Sequence, residues 1–117
     1  MSLDIEVYTN RPSSLANLLA NLPDRASWED FGAELAFAGD GWQVLISEPE
    51  EIELRDVPAH FAALLTDARY LVALTLEPIG APEEGYSFLE RVLESVGSAT
   101  GGVSNDFHTG APRRFSG

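Results

Sequence analysis

The chain has 117 residues, 44% of them hydrophobic and 22% charged, with a formal net charge of −12. That length and apolar share suit one domain with a packed core and exclude whole-chain disorder. The absence of cysteine excludes disulfides, thiolate nucleophiles, zinc–cysteine sites and iron–sulfur clusters, and the negative charge argues against nucleic acid, whose phosphates it would repel.

Leu3, Ile5 and Val7 alternate with Asp4, Glu6 and Tyr8, which predicts a strand with one buried face. Asn10 and Pro12 signal a helix start. Leu15, Leu18, Leu19 and Leu22 then follow at helical spacing, and Pro23-Asp24 ends the stripe. Residues 31–48 carry the strongest hairpin pattern. Phe31, Ala33, Leu35 and Phe37 alternate, Gly39-Asp40-Gly41 supplies the turn, and Trp42, Val44 and Ile46 resume the period of two. The acidic run Glu48-Pro49-Glu50-Glu51 is expected to leave the sheet. Asp56 is placed to cap a helix over residues 57–67, with Phe61, Leu64 and Leu65 on its apolar side.

Residues 70–76 form a nearly continuous apolar run, as a strand covered on both faces, or on one face and an edge, would need. Glu83-Glu84 suits a helix N-terminus. Tyr86, Leu89, Val92, Leu93 and Val96 continue as a third amphipathic helix that stops at Gly97 or at Gly101-Gly102. Residues 103–107 predict a short last strand. The expected division is one α+β domain over residues 1–110 and a flexible tail over 111–117.

The order β-α-β-β-α-β-α matches, in its first six elements, a ferredoxin-like arrangement: an antiparallel sheet with helices on one face. The other face would be covered by the third helix or by a second chain, so a homodimer is a reasonable expectation. Residues 1–4 run straight into the strand pattern without a secretory leader, and no stretch has the roughly 20 apolar residues of a membrane span. A cytoplasmic protein without membrane contact is therefore expected.

Candidate chemistry is sparse. His60 and His108 are the only histidines, and Asp106 stands two residues before His108, which is too few ligands for a metal site. The acid pairs Glu29-Asp30, Glu50-Glu51 and Glu83-Glu84 point apart and read as solvated surface. No serine has a nucleophile-elbow setting, and residues 97–102 lack the lysine of a phosphate loop. No catalytic residue, cofactor or metal is therefore expected. Trp42 with Glu50, Glu51 and Glu53 are the candidates for contact with a basic protein partner. Trp28 and Trp42 are the candidates for lining a ligand pocket.

Two stretches, Tyr70-Leu71-Val72-Ala73-Leu74-Thr75-Leu76-Glu77-Pro78-Ile79-Gly80-Ala81-Pro82 and Ala99-Thr100-Gly101-Gly102-Val103 with Asp106 and Thr109-Gly110, resemble small uncharacterised bacterial α+β proteins, some of them similar to immunity proteins of polymorphic toxins. The resemblance covers about the C-terminal half. It implies a non-catalytic, acidic protein-interaction domain and brings no catalytic residue with it. A small-ligand sensor, or an enzyme using His60 or His108, is the alternative.

Overall fold

The first alternating segment forms β1 (Leu3–Thr9), which pairs antiparallel along its whole length with β6 (Tyr70–Glu77), from Leu3 opposite Leu76 to Thr9 opposite Tyr70. The computed structural model describes residues 2–115. Successive strand side chains point to opposite faces. Val7, Val72, Leu74 and Leu76 are therefore buried on one face, while Asp4, Glu6, Ala73 and Thr75 stand on the other.

The expected hairpin is present. β3 (Glu34–Ala38) and β4 (Gln43–Ser47) pair antiparallel around a turn in which Gly41 takes φ +81°, a conformation that costs glycine no Cβ clash. β4 pairs with β6 on its other side, and β2 (Glu29–Asp30) adds outside β3.

The acidic run does not leave the sheet as expected. Glu50 and Glu51 form β5 (Glu50–Glu51), paired with β6 beyond the end of β4. Ile46 opposes Leu74 and Glu50 opposes Leu71, so four steps on one strand face three on the other. This bulge takes up Pro49, which has no N–H to give to a ladder. The Ser47 hydroxyl bridges to β6, accepting the Ala73 amide at 3.2 Å and donating to the Ala73 carbonyl at 3.4 Å.

α1 (Leu15–Leu19) is capped by Ser14, whose hydroxyl accepts the Asn17 amide at 3.1 Å. Asn10 does not cap it. Its amide donates to both oxygens of Asp67 at 3.1 Å, which ties the end of β1 to the approach of β6. The second helix is shorter than its pattern suggested. A 3-10 turn at Leu54–Asp56, closed by a Glu53–Asp56 capping box, leads to the single turn of α2 (Ala59–Ala62). α3 (Glu83–Thr100) buries Phe88, Leu89, Val92, Leu93 and Val96 and ends at Gly101 with φ +63°. β7 (Val103–Asn105) returns beside β1.

The segment expected to be a flexible tail is structured in its described part. β8 (Pro112–Arg114) pairs with β7, and Phe115 is 3% exposed within the core. The reason is Gly97, the one bare position on its turn of α3, where the Phe115 ring lies against the helix. The remaining two positions of that expectation, 116 and 117, lie outside the described residues.

The result is an α+β protein with an open antiparallel sheet of eight strands and three helices, in the order β2-β3-β4-β6-β1-β7-β8 with β5 also on β6. This order is not the ferredoxin-like one. β4 and β6 are antiparallel neighbours, so α2 caps a long hairpin instead of making a crossover. At four residues α2 rises only about 6 Å. It cannot carry the chain back along β6, whose eight residues span about 26 Å. One split β-α-β unit does exist, at the C-terminal end. β6 and β7 each run antiparallel to β1, which lies between them, and α3 connects them.

α1 and α3 pack on the face carrying Val7, Leu35, Val44, Ile46, Val72 and Leu74. On the opposite face, Val57, Phe61 and Leu65 cover Tyr8, Leu71 and Val103 at one end. The third helix thus lies beside the first, and α2 alone stands on the second face.

Candidate functional site

The part of the second face that α2 leaves bare is defined by strand register. Its positions are Glu29 of β2, Glu34, Ala36 and Ala38 of β3, and Gln43, Leu45 and Ser47 of β4. Ala73, Thr75 and Glu77 of β6 and Asp4 and Glu6 of β1 complete it. With Glu50 of β5, opposite Leu71, six carboxylates stand on this face: Asp4, Glu6, Glu29, Glu34, Glu50 and Glu77. No arginine occupies any of these positions.

Few local donors offset this charge. Thr75 donates to Asp4 at 3.0 Å, and the Gln43 amide donates to Glu77. Where the face meets α2, burial pushes the Tyr8 phenol above its ordinary value, and the neighbouring Glu6 carboxylate adds to the shift. Small and hydroxyl side chains stand between the acids, and Leu45 is half-buried among them. Such a face carries concentrated negative potential, which attracts cations and repels anions.

Trp42 and Trp28 are not on this face. Both are buried, at 5% and 8% exposure, in an aromatic cluster beneath α3. Phe37 and Phe88 stack there at 4.1 Å between ring centroids, with Trp28 5.5 Å and Trp42 5.9 Å from Phe37. Trp42 lies against Gly39 and Gly85, and it forms one wall of a shallow cleft of about 520 Å³ whose other residues include Gln43 and Glu77. Trp28 does not line that cleft. The two indoles differ in one respect. Trp28 Nε1 donates to the Pro23 carbonyl at 2.9 Å, whereas Trp42 Nε1 is buried with no partner. A typical internal hydrogen bond is worth about 1 kcal/mol. Trp28→Phe is therefore expected to cost about 1 kcal/mol more stability in urea unfolding than Trp42→Phe. Equal costs, or the reverse order, would contradict this account of the cluster.

Glu50, Glu51 and Glu53 are exposed, as expected, but they do not act as one group. Glu50 and Glu51 are adjacent in a strand and project oppositely. Glu53 closes the 3-10 turn with Asp56 and meets the Arg55 guanidinium at 2.6 Å. Trp42 is held apart from all three in the core beneath α3.

The histidines serve packing and clasping. His60 is exposed on α2, its ring centroid 4.2 Å from that of Phe61. His108 does meet an acid, with Nε2 2.5 Å from Glu90 Oε2, but the imidazole side chain is 74% exposed. Solvent around it gives a general base none of the shielding that catalytic acid–base pairs use. The neighbouring groups show what the pair does. Arg113 makes a two-pronged contact with Glu94 at 2.6 and 3.1 Å, and this contact raises the guanidinium pKa further. Asp106 accepts the amides of Thr109 and His108 at 3.0 Å each, and these bonds hold its carboxyl below the usual range. Glu90 and Glu94, one turn apart on α3, thus hold His108 of the loop between β7 and β8 and Arg113 of β8 itself. Among the described residues, no three His, Asp or Glu side chains are grouped to hold a metal ion, and no helix is long and apolar enough to cross a membrane.

Sequence reasoning missed the bare face. Its acids are scattered over five strands, and only the pairing register brings them together. The alternation of Asp4 and Glu6 with Leu3 and Ile5, and of Glu34 with Ala33 and Leu35, was the available signal. These features define a class, an α+β protein with two helices on one sheet face and a mostly uncovered acidic second face. The chain matches no protein-family model, and comparison with curated proteins and with solved structures gives no match.

Proposed function

We propose that this chain is a non-catalytic interaction domain whose bare sheet face receives a basic protein partner. The observation that supports it is the six-carboxylate face, whose register brings in a single arginine, Arg114, opposite Val103 at the far edge beyond α2. Complementary charge of this kind speeds encounter and fixes orientation. Neutralising a basic protein in the cytoplasm, in the manner of the immunity proteins that the C-terminal half resembles, is one such role. A homodimer through this face is disfavoured, because each copy would bring six carboxylates against the other's.

NMR titration with an arginine-rich peptide tests the reading. Shifts are expected to centre on Glu6, Glu34, Leu45 and Thr75 and to fade with added salt. The double variant Glu6→Lys/Glu34→Lys is expected to weaken binding about tenfold, or about 1.4 kcal/mol. Shifts spread evenly over the surface, or equal binding of an uncharged peptide, would remove the support for this function.

A further inference from the structure

The acidic face ends at β1, and there the sheet has a gap. β6 lines one edge of β1 along its whole length, but β7 pairs with the other edge only at Tyr8, opposite Val103. After Asn105 the chain turns away, because Asp106 accepts the amides of His108 and Thr109 and folds the loop back toward β8. No described strand lies beside Leu3–Ile5 on this side. The Glu6 carbonyl points into the gap side, where the Ser104 hydroxyl donates to it at 2.7 Å. In an antiparallel ladder the amide and carbonyl of one residue share a direction, which repeats every second residue. Asp4 therefore also directs its amide and carbonyl toward the gap.

The gap is a groove of about 440 Å³. Toward the core face its walls are apolar: Leu3, Ile5, Tyr86 and Phe107, all half-buried and packed on the main core. Toward the acidic face stand Asp4 and Glu6, both exposed, with the buried Phe61 of α2 at the same side of the groove, and Asp106 lies on the far wall. The Asp4 and Glu6 carboxylates thus stand on one side of the open strand edge and the larger apolar wall on the other.

We propose that this groove binds an extended segment of a basic partner protein by strand addition to β1 between Leu3 and Ile5. The segment alternates apolar and cationic residues. Its apolar side chains fill the wall of Ile5, Tyr86 and Phe107, and its cationic ones meet Asp4 and Glu6. Main-chain bonds to Asp4 supply affinity, and the alternation supplies selectivity. This rests on the acidic-face reading and names how that face is engaged.

Two peptides of identical composition separate the two ideas: one alternating arginine and valine, the other with its arginines and valines in separate blocks. The alternating peptide is expected to bind at least about tenfold tighter, a difference of about 1.4 kcal/mol, and to protect the Asp4 amide from hydrogen exchange. Phe107→Ser, which removes part of the apolar wall without adding charge, is expected to reduce that preference. Equal binding of the two peptides overturns strand addition and leaves the acidic-face reading standing. Binding of neither overturns both. Asp4 amide protection that grows with protein concentration in the absence of peptide assigns the edge to a second copy, and this also overturns the proposal.

Discussion

Gly102→Ala is expected to destabilise the protein by about 3 kcal/mol, the upper part of the usual range for forcing a group into packed space. A Cβ at Gly102 would stand 2.6 Å from the Tyr8 carbonyl oxygen and 2.8 Å from Val7 Cγ1. The first of these is backbone of β1, one residue before its end at Thr9, and has no rotamer by which to yield. Relief requires β7 to move away from β1 at its only paired position, Tyr8 with Val103. The Thr100 hydroxyl, which accepts the Gly102 amide at 3.2 Å and donates to the Val96 carbonyl at 2.8 Å, would be displaced as well. A midpoint drop on the order of 10 °C follows for a chain of this size. Gly101→Ala is the control. Gly101 has positive φ, but a Cβ there would meet only the Arg11 guanidinium at 3.5 Å, an ordinary contact, so alanine meets chiefly backbone strain of about 1 kcal/mol. If thermal unfolding ranks Gly101→Ala as the more damaging change, the close approach of β7 to β1 is not what selects glycine at 102.

Phe115→Ala is expected to cost about 3 kcal/mol, at the lower end for a buried phenylalanine. The Phe115 ring lies on Gly97 and under the Arg113 guanidinium, 4.4 Å from the ring centroid, and its amide donates to the Gly102 carbonyl at 2.8 Å. Gly97→Ala is expected to destabilise too, although alanine favours a helix over glycine by about 1 kcal/mol. The new methyl would occupy the place of the ring. Denaturant unfolding measures both variants. A stabilised Gly97→Ala protein would mean that β8 does not depend on this contact.

Period-two patterns in the sequence located β1, β3 and β4, because each buries one face and its apolar residues record that directly, and a nearly continuous apolar run located β6. α3 was legible from its apolar spacing, and of the two stops expected, Gly97 and Gly101-Gly102, the helix takes the second. What escaped was whatever depends on partners distant in sequence. Phe115 looks like part of a polar tail until Gly97 is seen beneath it. Glu50 and Glu51 read as a loop because pairing with Tyr70 and Leu71, across a bulge, leaves no local signature. Strand order was misread because the apolar spacing of Phe61, Leu64 and Leu65 does not show that α2 stops after one turn at Ala62, and because Asp56 closes the preceding 3-10 turn instead of capping the helix. For the candidate site, the exposure of the acids at 50, 51 and 53 was legible. The choice of Trp42 as an outward anchor was not supported, because composition does not show that Gly39 and Gly85 leave room to bury an indole.

The insertion of β1 between β6 and β7 also constrains how the protein is made. Leu3 must wait for Leu76 before its strand neighbour exists, and the second edge of Tyr8 waits longer still, for Val103. Such distant pairings are slow to close, with folding times on the order of milliseconds to seconds. During synthesis β1 has both edges unsatisfied until β6 emerges, and one until β7 does. Its alternating aspartate and glutamate would meanwhile discourage association with neighbouring nascent chains.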